Sequence, residues 1–330
     1  MNREKFNLTL FGEANVNTST GEKATLGVEN KVFYDRTLIK LAKPNLIHGQ
    51  FGQKRDIPKN GGMHIEFRKF SPLGKATTPL VEGITPEGQS LDVSTVDATI
   101  SQYGGYVTIS DNLDITAVDP VVTETLNLIS DQAAQTIDTV ERDVLVCGTN
   151  VQYADGSIEE RGALTEEHKM TVDILKRAVR TLKMNNTPKI EGYYIAIMHP
   201  SVAYDLMADP DWIDAQKYTQ ANVKKIYNGE IGEIAGVKVI ESTEAKVWKE
   251  GADGRSVYAT LIFGKDAYGI TDIKGGGLTT IVKPLGSAGT GDPLNQRSTI
   301  GWKAYHTAEI LVEPYMVRVE TASTFNDEAN

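Results

Sequence analysis

Apolar and polar positions first alternate cleanly at residues 63–68. Met63, Ile65 and Phe67 alternate with His64, Glu66 and Arg68, the period-2 pattern of a half-buried strand. Tyr103, Val107 and Ile109 mark a second strand-like segment, interrupted by Gly104 and Gly105. Between them lies a 27-residue excursion, 71–97, carrying Pro72, Gly74, Pro79, Gly83, Pro86 and Gly88. Such punctuation prevents a helix and predicts only short extended pieces. Leu73, Leu80, Val81, Ile84, Leu91 and Val93 make the excursion too apolar for a solvated linker. Two arrangements fit: an arm that buries these side chains on another subunit, or a loop folded over its own domain.

A change of period follows. Val122, Leu126, Ile129, Ala133, Ile137, Val140 and Val144 recur at steps of three and four, one continuous apolar stripe. Asp119 is a good N-cap, Pro120 fits the first helical position and Gly148 supplies a stop. The spacing predicts a helix over 120–147, about 42 Å long at 1.5 Å per residue. Asp131, Asp138, Glu141, Arg142 and Asp143 rule it out as a membrane span. A compact enzyme has little use for a long excursion followed by so long a helix. A subunit that builds by overlapping its neighbours needs both.

The rest of the chain is more ordinary. Residues 12–30 are polar and turn-rich and read as an extended or partly disordered arm. Val32, Leu38, Ile39 and Leu41 begin a short helix that Pro44 ends. Thr171 caps a helix whose Val172, Leu175, Val179 and Leu182 share a face. Tyr193–Met198, Val237–Ile240, Val257–Phe263 and Leu278–Val282 read as strands. Pro200 opens a helix, and Asp209-Pro210-Asp211 turns the chain. This makes 165–285 an α/β unit, followed by the flexible Gly286–Gly291 and two strands, 300–305 and 310–319. Those two strands are expected beside the long helix.

Composition adds limits. The 330 residues are 40% hydrophobic and 24% charged, an ordinary globular balance. No apolar run is long enough to span a membrane, and the first ten residues lack a signal-peptide core. A lone Cys147 permits no intrachain disulfide, is expected to pack rather than react, and fits synthesis in a reducing cytoplasm. The net charge of −10 sits almost wholly in 101–170, whereas 1–60 carries +4. The acidic helix region and the basic arm can attract each other, within or between chains. Most single charges are expected to be solvated. No basic cluster interleaved with aromatics argues for sequence-specific nucleic-acid binding.

No catalytic constellation emerges. His48, His64, His168, His199 and His306 are scattered, with no paired spacing for a metal. Gly286–Gly291 has phosphate-loop glycine spacing, but Asp292-Pro293 replaces the lysine and hydroxyl that would hold phosphate and magnesium. Asp209, Asp211 and Asp214 lack the rest of a calcium loop. No catalytic residue, cofactor or metal is therefore expected, and no enzymatic activity.

Several short motifs carry a resemblance. They are Thr78-Pro79-Leu80-Val81-Glu82-Gly83-Ile84-Thr85-Pro86 and Ser101-Gln102-Tyr103-Gly104; His199-Pro200 with Asp205, Trp212 and Tyr218; Tyr227–Gly232; Ile234-Ala235-Gly236-Val237; and Asp292–Arg297 with Gly301-Trp302-Lys303. In this order, over about 30–322, the chain resembles a podovirus-type family of tailed-phage major capsid proteins. The resemblance implies an α+β, Hong Kong 97-like capsid fold. An N-terminal arm would take 1–60 and an extended loop 61–105. A P-domain with its spine helix would take 106–164 and 286–322. An A-domain would take 165–285, and a C-terminal tail 323–330.

The implied function is a structural subunit of an icosahedral virion shell enclosing double-stranded DNA. Its implied partners are itself, in pentamers and hexamers, a separate scaffold protein, a portal protein and DNA held without sequence preference. Leu80, Val81, Glu82 and Ile84 would touch the neighbouring subunit. Gly83, Gly88, Gly104 and Gly105 would let the loop pivot between precursor and mature shells. Alternatives are a nanocompartment shell of the same fold, an α/β hydrolase, and a tail or portal component.

Overall fold

The computed structural model describes residues 16–18, 47–80, 82–83, 85, 87–116, 121–218, 230–273 and 277–330. The short helix expected at 32–41, the caps Asp119 and Pro120, the contact residues Val81 and Ile84 and the motif residues Tyr227–Gly229 lie outside the described residues.

In chain order the strands are β1 (Val16–Thr18), β2 (Gln53–Ile57), β3 (His64–Phe70), β4 (Val93–Thr99), β5 (Ser101–Ser110), β6 (Val151–Tyr153), β7 (Tyr194–Met198), β8 (Glu230–Ile234), β9 (Val237–Glu241), β10 (Val247–Trp248), β11 (Val257–Phe263), β12 (Tyr268–Ile273), β13 (Thr279–Lys283), β14 (Arg297–Ile310) and β15 (Met316–Thr321). The helices are α1 (Asp111–Thr116), α2 (Val121–Leu145), α3 (Val172–Met184), α4 (Pro200–Met207) and α5 (Pro210–Tyr218).

The strands form two sheets and a separate hairpin. The first sheet runs β1-β5-β14-β12-β2, with β13 also on β14. The 14-residue β14 is its axis. One side of β14 pairs with β5 from Arg297 to His306. Its other side pairs first with β13, through Thr299–Lys303, and then with β12, through His306–Ile310. The second sheet runs β6-β15-β11-β7-β9-β8, with β10 also on β11. The hairpin is β3 with β4.

Helix α2 lies on the first sheet. Leu126, Ile129, Ala133 and Ile137 pack on Ile109, Val282, Ile300, Trp302 and Ala304. Trp302 Nε1 donates to Gln132 Oε1 at 3.1 Å, pinning the helix to the middle of β14. The helix covers 25 residues, or about 37 Å. It stops at Leu145, short of the expected 147. Gly148 is not in the left-handed region, so it is not the stop. Arg318 of β15 takes that role: its Nη1 donates to the carbonyls of Val146 and, at 3.0 Å, Gly148.

The apolar stripe also ends earlier than expected. Val140 and Val144 are only half-buried and line a surface groove. In their place Asp138, Glu141, Arg142 and Leu145 are buried. The cause is tertiary: residues 47–51 lie across that flank of the helix and cover it. Cys147, expected to pack, is exposed, with Sγ 3.1 Å from the Asp143 carbonyl.

The α/β block packs α3 and α4 on one face of the second sheet, around Leu175, Val179, Leu182, Met198, Val202, Val237 and Val319. Thr171 Oγ1 caps α3 by accepting from Ile174 N. Asp209 is a structural hinge-pin rather than a cation ligand: Oδ2 accepts from Val172 N and Oδ1 from Asp211 N, both at 2.9 Å.

Sheet pairing divides the chain differently from the expected 165–285 boundary. β12 and β13 belong with the helix-bearing sheet, whereas β6 and β15 belong with the α/β block. Of the two final strands, β14 packs beside the long helix as expected. β15 instead pairs with β11, from Met316–Phe263 to Thr321–Tyr258. Alternation marks a strand and its faces but carries no information about which sheet receives it.

Residues 323–330, expected as a C-terminal tail, are a bound strap. Asp205 of α4 accepts from Ser323 Oγ at 2.6 Å, Thr324 N at 2.9 Å and Thr324 Oγ1 at 2.5 Å. Asp327 accepts from Tyr258 Oη at 2.8 Å and from Ser201 Oγ, and Asn326 Oδ1 accepts from Ser256 N and Oγ.

Candidate assembly surfaces

The hairpin forms a sheet of its own, in which its two strands satisfy each other. β3 and β4 pair through seven residues, from His64–Thr99 to Phe70–Val93. β4 falls inside the excursion that the prolines and glycines marked as irregular. Its sequence, Val-Ser-Thr-Val-Asp-Ala-Thr, alternates too loosely to announce a strand. The ladder is anchored to the body along its length as far as Lys69, and the tip beyond it is not. Ala98 and Ile100 are buried, Phe67 sits over Gly269 of β12, and Lys69 Nζ donates to the Leu311 carbonyl at 3.2 Å. Within the tip, Ser71 N donates to Asp92 O and Gln89 Nε2 to Gly74 O.

That leaves a row of apolar side chains in solvent. Phe70 is 68% exposed, Leu80 78% and Leu91 69%, with Met63, Leu73 and Val93 also exposed. At about 25 cal/mol per Å², one such side chain gains about 1.5–3 kcal/mol on full burial. Among the described residues of the same chain nothing covers them.

The four glycines divide into two kinds. Gly83 adopts φ +79°, which only glycine takes without strain, and turns the tip beside the exposed Glu82. Gly88 has open space around it and no left-handed backbone. Gly104 and Gly105, expected as pivots, lie inside β5, paired with Lys303 and Trp302. A Cβ at Gly104 would sit 2.7 Å from the Trp302 carbonyl, and one at Gly105 2.6 Å from Gln132 Oε1. In this structure their role is close packing of β5, β14 and α2.

The outer face of the first sheet, away from α2, carries a shallow groove of about 570 Å³. Gly104, Tyr106, Ile281 and Gly301 form its apolar floor, and Lys283 and Arg297 its basic margin. Tyr106 is 70% exposed.

A buried polar clamp joins the arm to the helix, and scattered histidines gave no sign of it. Asp138 Oδ1 accepts from Ile47 N at 2.9 Å and His48 N at 2.8 Å, and Oδ2 lies 2.7 Å from His48 Nδ1. The Tyr268 hydroxyl donates to the His48 carbonyl. A Cβ at Gly49 would lie 2.6 Å from Glu141 Oε2, so the arm passes directly against that carboxylate. On the helix's other flank, His306 Nε2 lies 2.9 Å from Glu141 Oε1, an ion pair without hydrogen-bond alignment, and Nδ1 lies 2.7 Å from Asp272 Oδ1.

These contacts set the charges. Burial opposes ionisation of Asp138, but the His48 ring and the two backbone N–H groups outweigh it and hold the carboxyl below its ordinary value. Burial likewise opposes protonation of His306, but Asp272 and Glu141 outweigh it and push the ring up to about 9. The expectation of solvated charge fails at Asp138, Glu141 and Arg142 because each has a partner; Arg142 Nη1 donates to the Glu244 carbonyl at 2.9 Å.

Among the described residues no cluster of histidine, cysteine and carboxylates has metal-binding geometry, and no helix is long and apolar enough to cross a membrane. His199, Ser201 and Asp327 do meet, but the Ser201 hydroxyl bonds Asp327 rather than the ring.

The profile of a family described as phage capsid protein matches residues 93–319. The chain belongs to the phage capsid protein family. No curated protein matches the capsid protein's sequence. Solved structures match over nearly its whole length. The capsid of Ralstonia phage GP4 is 14% identical, with a TM-score of 0.67, covering 98% of this chain and 100% of the other. The cyanophage Pam1 capsid is also 14% identical, with a TM-score of 0.63 and the same coverage. The cyanophage P-SCSP1u capsid is 16% identical, with a TM-score of 0.59, covering 84% of this chain and 89% of the other. At these identities the matches establish the fold, which is Hong Kong 97-like, and the family establishes a major capsid protein, a structural component of the phage virion.

Proposed function

We propose that the capsid protein closes into an icosahedral shell around double-stranded DNA, built from pentamers and hexamers of itself. One observation carries this reading: the β3–β4 arm holds Phe70, Leu73, Leu80 and Leu91 exposed, on a tip that the described residues of its own body do not cover. In the shell the tip lies on the adjacent subunit. Leu80, Val81 and Ile84 enter the groove floored by Tyr106 and Ile281, and Glu82 faces the basic margin at Lys283 and Arg297. Each contact is modest, but symmetry repeats it, and a subunit leaves only when several break together.

The parts of the subunit follow from this. Residues 1–60 form the arm that the Asp138 clamp ties to the spine helix. The extended loop is 61–100, with its pivot at Gly83, Gly88 and the base of the hairpin. The first sheet and α2 form the P-domain, and the α/β block, with β15 and the strap, forms the A-domain. Assembly uses a separate scaffold protein and a portal protein, and DNA is held without sequence preference by a subunit whose net charge is −10.

Deletion of 75–93 tests the reading. The shortened chain is expected to remain soluble with the melting temperature of the full subunit and to form no stable shell when made with its scaffold. Normal shells from the deletion would remove the arm from the mechanism.

A further inference from the structure

The exposed surface of α3 is basic and has little to pair with. Arg180, Lys183 and Lys189 are exposed and, among the described residues, none lies within ion-pair distance of a carboxylate. Together with the exposed Met184 they flank a groove of about 330 Å³ that runs between α3 and Ala235. Lys189 reaches the same corner, since its Nζ lies 3.7 Å from where a Cβ on Gly236 would stand. Ala235 and Gly236 are the turn of the β8–β9 hairpin, so the groove closes against the β8 edge of the second sheet.

The opposite edge has the opposite charge. β6 is the other edge strand, and the chain leaves it into 155–167, a segment with five carboxylates and one arginine. That arginine is committed inward: Arg161 holds Glu320 at 2.7 Å and Glu250 at 2.5 Å and lies over the Trp248 ring. Glu166 pairs with Arg255 at 3.2 Å. Glu159, Glu160 and Glu167 are exposed, with no cation of the described chain at ion-pair distance. The segment is also firmly placed. Leu164 is buried in the block's core, and its carbonyl accepts from Ala252 N.

We infer that these two edges are the two halves of one ring contact: Glu159, Glu160 and Glu167 of one subunit seat in the Arg180–Lys183–Lys189 groove of a second copy. Complementary patches at opposite edges of one block make a head-to-tail contact, and such a contact closes into rings when its rotation permits. A patch that paired with itself across a two-fold axis would need both signs within it, whereas the lining of the α3 groove holds no carboxylate and Glu159, Glu160 and Glu167 have no cation at ion-pair distance among the described residues. The charges steer encounter and exclude the reversed orientation, which would set like against like. The inference rests on the shell reading above and adds to it the polarity of the ring.

Charge reversal tests it on the full chain made with its scaffold, with assembled protein read by sedimentation and electron microscopy. The variants are R180E/K183E, E159K/E160K and the four changes together, which leave the net charge at −10. Circular dichroism and thermal melting check folding. Each pair of changes alone is expected to lower the assembled fraction at low salt about tenfold or more, because every ring contact then sets like charges together. The fourfold variant is expected to recover to within about threefold of the unaltered chain, because the pairs are restored with reversed sign. Assembly of either half-reversed chain at the unaltered level would overturn the inference. So would a fourfold variant that folds but assembles no better than the halves. Normal shells of R180E/K183E that hold less DNA would overturn it too and assign the groove to nucleic acid. If the unaltered chain itself formed no rings or shells, the shell reading would fail instead.

Discussion

Replacing Asp138 with alanine tests the clamp between the arm and the spine helix. The aspartate accepts three hydrogen bonds, from Ile47 N, His48 N and His48 Nδ1, all between 2.7 and 2.9 Å. His48 and Asp138 are both almost fully buried, so water does not replace the lost acceptor. Each stranded donor costs about 1–3 kcal/mol. Residues 47–50 will lift from the helix before all three costs are met, which caps the loss at the range for breaking a buried pair, about 3–5 kcal/mol. Unfolding in urea, followed by circular dichroism on unassembled subunits, measures that loss. Hydrogen exchange measures its location: protection should fall across 47–57, where β2 joins β12, and hold in β7 and β11. His48→Ala in the Asp138→Ala background should add little, since the two groups act as one unit. A loss below about 1 kcal/mol with unchanged exchange at 47–57 would refute the clamp.

Two further predictions follow from buried charge. The His306 ring has its folded value raised to about 9 from an ordinary 6.5, so its stabilisation is complete below 6.5 and fades as pH rises through 9. The subunit should lose up to about 3 kcal/mol over that window, measured by urea unfolding at a series of pH values, and His306→Gln should flatten the curve. Asp205→Ala should release the strap, since it removes the acceptor for Ser323 and Thr324; we expect about 2–4 kcal/mol and rapid proteolysis within 323–330, and an unclipped strap would contradict this.

What the sequence revealed and what it hid have a common physical basis. The long helix, the α/β strands and the turn-rich excursion were legible because each depends on local periodicity or on proline and glycine. The exposure of Leu80 and Leu91 was not decided by the same logic, since their spacing fitted both an arm on a neighbour and a loop over its own domain. Features that depend on distant partners were hidden. Asp138, Glu141 and Arg142 look like a solvated helix face until His48, His306 and the Glu244 carbonyl arrive from far along the chain. The crossing of β12 and β13 into the first sheet, and of β15 into the second, has no local signature. Gly104 and Gly105 read as pivots because glycine signals freedom in isolation, yet here it signals a close approach to Trp302 and Gln132. The strap at 323–330 reads as a polar tail because its anchors are Asp205, Ser256 and Tyr258.

Electron cryo-microscopy of particles assembled from the full chain with its scaffold tests the central claim most directly. The account predicts closed icosahedral shells in which density for 71–92 lies on the outer sheet face of the adjacent subunit, over Tyr106 and Ile281. Open rings or tubes with no closed shell, or shells whose 71–92 segment folds back over its own body, would contradict it.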